Sequence, residues 1–135
     1  EVWSVTSYKE LRREALEADR WNRLHPTAPP RVPYIAQLMQ DTGPGPVIAA
    51  SDYMKIVAEQ VAPWIPDGMT ALGTDGFGRS DNRKRLRRFF EVDAESITVA
   101  ALHTLCLRGQ FPVDRVEQAI HELGIDPEKP NPVAA

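Results

Sequence analysis

Apolar positions along the chain follow two alternating rhythms: short continuous runs, and recurrence every three or four residues. The first run, Val2-Trp3-Ser4-Val5-Thr6, favours a β-strand and has no turn or cap before it. Ser7-Tyr8-Lys9-Glu10 follows as a capping box, in which serine oxygen and glutamate carboxylate satisfy each other's free backbone donors. Tyr8, Leu11, Ala15 and Ala18 then share one helical face while Arg12, Arg13, Glu17 and Arg20 take the wet side, predicting a helix that ends near Leu24, before Pro26. From Pro26 to Pro46 six prolines enclose Val32, Tyr34, Ile35, Leu38 and Met39. This proline-bounded segment, 26–46, reads as an irregular stretch packed on a partner surface. Val47-Ile48-Ala49-Ala50 reads as a short buried strand, Ser51 or Asp52 as the cap of a helix carrying Met54, Val57 and Val61 up to Pro63, and Met69 to Leu72 as a third strand. Three helices close the chain: one capped by Ser80 or Asp81 and running through Phe90, one capped by Asp93 and reaching Gly109, and one opened by Pro112 and ending at Gly124. The tail, 126–135, is proline-rich and is expected to lie over the surface.

Strands apolar on both sides, alternating with helices, predict an α/β fold: a three-layer, mostly parallel sheet flanked by helices. Three strands make a thin sheet, so at least one further strand is expected upstream of Glu1, in keeping with the abrupt start. With 135 residues, 42% hydrophobic and 26% charged, one domain is expected. Net charge of −3 gives no overall field for nucleic acid or an anionic membrane, and no apolar stretch approaches the roughly 18 residues that span a bilayer. The single cysteine, Cys106, excludes an internal disulfide and a cysteine-based zinc site. It follows Val99 and Leu102 at helical spacing, as a core thiol would, and its solitude fits a reducing, cytoplasmic compartment.

Candidate chemistry concentrates between Leu72 and Asp81, which read Leu-Gly-Thr-Asp-Gly-Phe-Gly-Arg-Ser-Asp. This loop stands where α/β sheets bind ligands, beyond a strand's carboxyl end and ahead of a helix. Yet Gly73, Gly76 and Gly78 run in the reverse order of the dinucleotide fingerprint, and no Gly-Lys-Ser/Thr follows as a phosphate loop requires. Two readings stand: an anion cradle, or a structural turn whose Asp75, Arg79 and Asp81 pair with one another or with another subunit, the second being preferred. Residues 79–88 hold six cations, but they surround the helix instead of forming one stripe, so they are expected to meet carboxylates of the protein or a partner and not nucleic acid. His25, His103 and His121 have no catalytic company; His25, beside Pro26 at a helix end, suits the capping of carbonyls.

Five segments then carry a resemblance in matching order and spacing: Val2-Trp-Ser-Val-Thr-Ser7, Arg20-Trp-Asn-Arg-Leu-His-Pro26, Arg31-Val-Pro-Tyr-Ile-Ala36, Ser51-Asp-Tyr-Met-Lys55 and the glycine loop. From Val2 to about Pro132 the chain resembles the carboxyl-terminal domain of the bacterial homodimeric pyruvate dehydrogenases. The resemblance implies a transketolase-like third domain whose first strand and helix would precede Glu1. It further implies a parent enzyme that decarboxylates pyruvate and reductively acetylates a lipoyl group on the dihydrolipoyl acyltransferase core of its complex. Thiamine diphosphate and magnesium are, by the same likeness, bound outside this stretch, through a Gly-Asp-Gly segment that does not occur here. No catalytic, cofactor or metal residue is therefore carried over, and the stretch alone is expected to be inert. Its partners are expected to be the preceding domains and the second subunit, contacted through Trp21, His25, Tyr34, Asp75, Gly76, Phe77, Gly78, Arg79, Ser80 and Asp81. A free-standing anion-binding or regulatory module is the competing expectation.

Overall fold

A computed structural model describes all residues, Glu1–Ala135. Two helices come first, α1 (Tyr8–Leu24) and α2 (Tyr34–Thr42). Strand β1 (Val47–Ala50), helix α3 (Lys55–Glu59), a 3₁₀ turn (Ala62–Trp64) and strand β2 (Met69–Leu72) form a crossover unit. Helices α4 (Arg83–Phe89), α5 (Ala94–Leu107) and α6 (Val113–Glu122) complete the chain. The two strands pair in parallel, with Val47 opposite Met69 and Ala50 opposite Leu72. A connection through α3 makes this possible, since parallel strands need a crossover. Helix α5 lies against both strands, α6 against α5, and α2 against α1. The buried apolar side chains are Ala15 and Ala18 of α1, Ile35 of α2, Ala58 of α3, Val61, Ile65, Val92 and Val116 of α6.

Several expected elements form as the residues dictate. Ser7 Oγ accepts from the Glu10 amide at 3.2 Å and starts α1, and Asp93 Oδ1 accepts from the Ser96 amide at 2.9 Å and starts α5. Gly109 and Gly124 take left-handed angles just beyond α5 and α6.

Others are corrected. Val2–Thr6 forms no strand: the sheet has only β1 and β2, and Val2 is fully exposed. A β-favouring run makes a strand only beside a partner edge, and none is offered to it here. The segment 26–46 is irregular only at its ends, because its apolar residues Tyr34, Ile35, Leu38 and Met39 belong to α2. Pro33 sits at the N-cap, where its missing N–H costs nothing, so the prolines bound a helix and do not break one. Neither Ser51 nor Asp52 caps α3, which begins four residues later; Ser51 Oγ instead accepts from the Tyr53 amide at 2.8 Å. That helix also ends before Pro63, which lies in the 3₁₀ turn. Helix α4 is capped by Asn82, whose Oδ1 accepts from the Arg85 amide at 3.0 Å, and not by Ser80 or Asp81. Cys106 is half-buried and sits outside the buried set.

Candidate interface at the glycine loop

The loop leaves β2 under tight backbone constraint. A Cβ at Gly73 would collide with the Tyr53 carbonyl and come within 2.7 Å of the Lys55 nitrogen, so only glycine lets the two strand exits approach. Thr74 fastens the approach twice: its amide donates to the Tyr53 carbonyl and its hydroxyl to the Asp52 carbonyl, both at 2.9 Å. Asp75 then reaches back to α3, where Oδ1 accepts from the Lys55 amide at 3.1 Å and Oδ2 lies 3.8 Å from its ammonium. A residue 20 positions away thus supplies the cap missing from the α3 sequence.

Gly76 turns with φ of +97° and packs on the tail, where an added Cβ would stand 2.6 Å from the Pro132 carbonyl oxygen. Phe77 follows, 80% exposed. Gly78 faces open space, and Ser80 is exposed. The Arg79 guanidinium stacks 4.1 Å from the Phe89 ring centre. Asp81 accepts from the Asn82 amide at 2.7 Å and lies 3.8 Å from Arg85. Asp75, Arg79 and Asp81 therefore do not pair with one another; each is drawn to a nearer group on α3 or α4.

The basic helix meets carboxylates within the chain, as expected of most of it. Arg87 lies 3.7 Å from Asp52, and Arg88 bridges Asp93 at 2.9 Å and Glu95 at 3.3 Å. Burial pushes the Asp93 carboxyl up, but the Ser96 hydroxyl and amide and the Arg88 guanidinium together overcome this and hold it below the ordinary range. From the tail, Lys129 donates to the Phe89 carbonyl at 2.7 Å and the Arg88 carbonyl at 3.3 Å, and pairs with Glu91 at 2.9 Å. It satisfies the last carbonyls of α4, which ends in a left-handed Glu91.

Beside the loop lies an open groove of about 480 Å³. Phe77, Leu86, Phe90 and Val92 give it an apolar floor, and Arg79, Arg83 and Arg87 stand on its rim with Asp52 and Asp81. Tyr53, Met54 and Ile56, on the neighbouring β1 exit, are also largely exposed, Tyr53 by 71%. These three were not among the candidate residues, since helical spacing places Met54 on a core face. The adjacent Tyr53 and Met54 after Asp52 were the available signal, and the late start of α3 leaves both outside the helix.

Trp21, His25 and Tyr34 form a second group. The Trp21 and His25 rings stack at 4.5 Å, and the Arg31 guanidinium lies 4.2 Å from the centre of the Trp21 ring. His25 Nδ1 donates to the Trp21 carbonyl at 2.8 Å, the expected carbonyl cap. Asn22 holds the Arg31 backbone from both sides, accepting from its amide at 2.7 Å and donating to its carbonyl at 2.9 Å. Tyr34 begins α2, its amide donating to Glu14 of α1 at 2.9 Å. No hydrogen bond, ion pair or ring contact joins this group to the glycine loop. His103 and His121 lie apart on α5 and α6, both exposed.

Comparison with known proteins identifies the arrangement. The family described as the transketolase-like TK C-terminal domain matches residues 1–93. The chain is 52% identical over 98% of its length to the pyruvate dehydrogenase E1 component of Pseudomonas aeruginosa, and equally to that of Escherichia coli K12. Identity is 46% over 99% of the chain for the protein of the same name from Cupriavidus necator. The chain spans 15% of the length of each of these relatives. The chain, with its two-stranded parallel sheet flanked by helices and the glycine loop at the sheet's carboxyl end, thus belongs to the transketolase-like C-terminal domain family.

Proposed function

We propose that the chain is the assembly domain of a pyruvate dehydrogenase E1 component, an oxidoreductase that decarboxylates pyruvate and reductively acetylates the lipoyl group of an acyltransferase partner in the bacterial cytoplasm. The observation that carries this reading is the exposed apolar surface beside the glycine loop, Tyr53, Met54, Ile56 and Phe77. Large apolar side chains left exposed near one end of a sheet suit an interface. Helix α5 adds to the argument: Ala94, Ile97, Val99, Ala100, Ala101, Leu102, Leu105 and Leu107 make it apolar on every side, yet none of its residues is fully buried. A helix apolar all round belongs in an interior, so the remainder of its cover comes from outside the chain. The preceding domains and the second subunit are the partners this reading assigns.

Residues of this chain do not suit thiamine diphosphate with magnesium. No three histidine, cysteine or carboxylate side chains converge on one point, and Asp75 and Asp81 of the loop face Lys55 and Arg85. The reading therefore places both cofactors in other domains and derives no chemical step here. No helix is long and apolar enough to cross a membrane.

The test compares residues 1–135 with the complete enzyme, each supplied with pyruvate, thiamine diphosphate and magnesium. Decarboxylation by the complete enzyme alone is expected, with exchange protection at residues 53–56 and 77 seen only in it. Turnover by residues 1–135 alone, or equal exchange at those residues in both samples, sinks the reading.

A further inference from the structure

We infer that the groove floored by Phe77, Leu86, Phe90 and Val92 receives an acidic peptide segment that carries a large apolar side chain, supplied by another domain of the same enzyme. The inference rests on the assembly reading and adds the chemistry of what docks.

The floor asks for an apolar side chain, because its two phenylalanines, leucine and valine line an open hollow. The rim asks for carboxylates. Arg83 is exposed and has no acidic partner in the chain. Arg79 spends its flat face on Phe89, which leaves its N–H fork without an acceptor. Arg87 touches Asp52 only at 3.7 Å, and its Nε is shut off from solvent with no hydrogen-bond partner at all. Three guanidiniums with unused N–H donors thus stand on one rim. A carboxylate matches the guanidinium fork bidentately.

A nucleic-acid backbone fits the groove less well. Its regularly spaced phosphates would have to pass Asp52 and Asp81 on the same rim, whereas a peptide can set its carboxylates opposite the arginines alone, and Arg88 turns away to Asp93 and Glu95. Backbone geometry suits a peptide. Gly78 leaves open space where a side chain would stand, so a strand of polypeptide can pass close to the loop. The relatives are several times longer than this chain, which covers 15% of them, so a segment elsewhere in one polypeptide reaches the groove at high effective concentration.

The experiment places the photoreactive residue p-benzoylphenylalanine at Phe77 of the complete enzyme, followed by irradiation and mass spectrometry of the linked peptides. A cross-link to a segment of another domain that is rich in Asp and Glu and bears a large apolar residue is expected. Its yield should fall by about threefold or more between low and high salt, since exposed charge pairs are screened. In the same background Arg83→Glu should cut the yield by about tenfold, and Arg83→Lys by no more than about threefold, because lysine keeps the charge and loses the fork. Arg83 has no partner within the fold, so a matched melting curve shows that neither variant acts by unfolding. A cross-link to a neutral or basic segment, to nucleic acid or to a separate protein, or a yield indifferent to Arg83→Glu, overturns the acidic-segment inference and leaves assembly standing. Absence of any cross-link within the enzyme, with Phe77 open to solvent, overturns the assembly reading as well.

Discussion

At the scale of single residues, the three glycines of the loop look alike in the sequence and differ in space. Gly76 has a left-handed φ and its Cβ would press on backbone of the tail, an obstacle that cannot swing aside. Gly78 has neither restriction. Gly76→Ala should therefore lower stability by roughly 1–3 kcal/mol, whereas Gly78→Ala should stay within about 0.5 kcal/mol, as chemical denaturation of residues 1–135 would reveal. Asp93 makes a different argument. Its carboxyl caps α5 and receives Arg88, and its folded pKa lies below the ordinary aspartate value. That contribution is complete above the unfolded pKa, near 4, and drains away as pH falls through the lower folded value. Asp93→Ala should lose about 1–2 kcal/mol near neutrality, and the gap from the unsubstituted chain should close in acid. A gap of constant size from pH 7 to pH 2 would refute the linkage. Asp93 was legible as a cap from spacing alone; its guanidinium partner was not, because Arg88 reaches it across a turn.

At the scale of elements, capping signals close to their helices were read correctly and distant ones were not. Ser7 and Asp93 act within three residues of themselves. The caps of α2 and α3 come from Glu14 and Asp75, each 20 residues away, and no local pattern announces them. The proline-bounded segment misled for a related reason. Six prolines suggest irregular chain, but those flanking α2 only set its limits, and packing on α1 supplies what propensity does not. Asn22 fixes where that segment begins its return, by holding both backbone groups of Arg31. Asn22→Ala should cost about 1–2 kcal/mol, since two backbone groups lose their partner. Amide exchange should quicken across residues 28–34 while the β1–β2 pairing keeps its protection. Uniform quickening over the whole chain would show that Asn22 acts globally and not as a local clamp.

At the scale of the whole molecule, the distribution of apolar surface is the informative quantity. Only 11 of 135 residues are buried, and the sheet on which α3 and α5 pack has just two strands. Parallel sheets ordinarily lie buried between helices on both faces, so a pair of strands is the minimum such an arrangement can present. The same shortage explains why Val2–Thr6 stays irregular despite its composition: strand propensity has value only against an edge. Tyr53, Met54, Ile56 and Phe77 stand at the carboxyl ends of both strands, beside the arginine rim and the groove. Mass and charge gave no hint of this grouping, because it depends on which side of the sheet each loop leaves.

Taken residue by residue, the sequence alone determined the α/β class, α1 with its serine cap, α5 with its aspartate cap, both strands of the crossover unit, and the family through the spacing of five short segments. These depend on local chemistry: hydrogen bonds within one turn, apolar periodicity, and glycine where backbones must approach. Only the tertiary structure decided that Asp75 caps α3 across 20 residues, that Pro132 closes over Gly76, and that Lys129 completes the end of α4. It alone gathered Arg79, Arg83 and Arg87 around one apolar floor. Contacts between distant residues are chosen by the packing of whole elements, and no window of sequence short enough to read contains both partners.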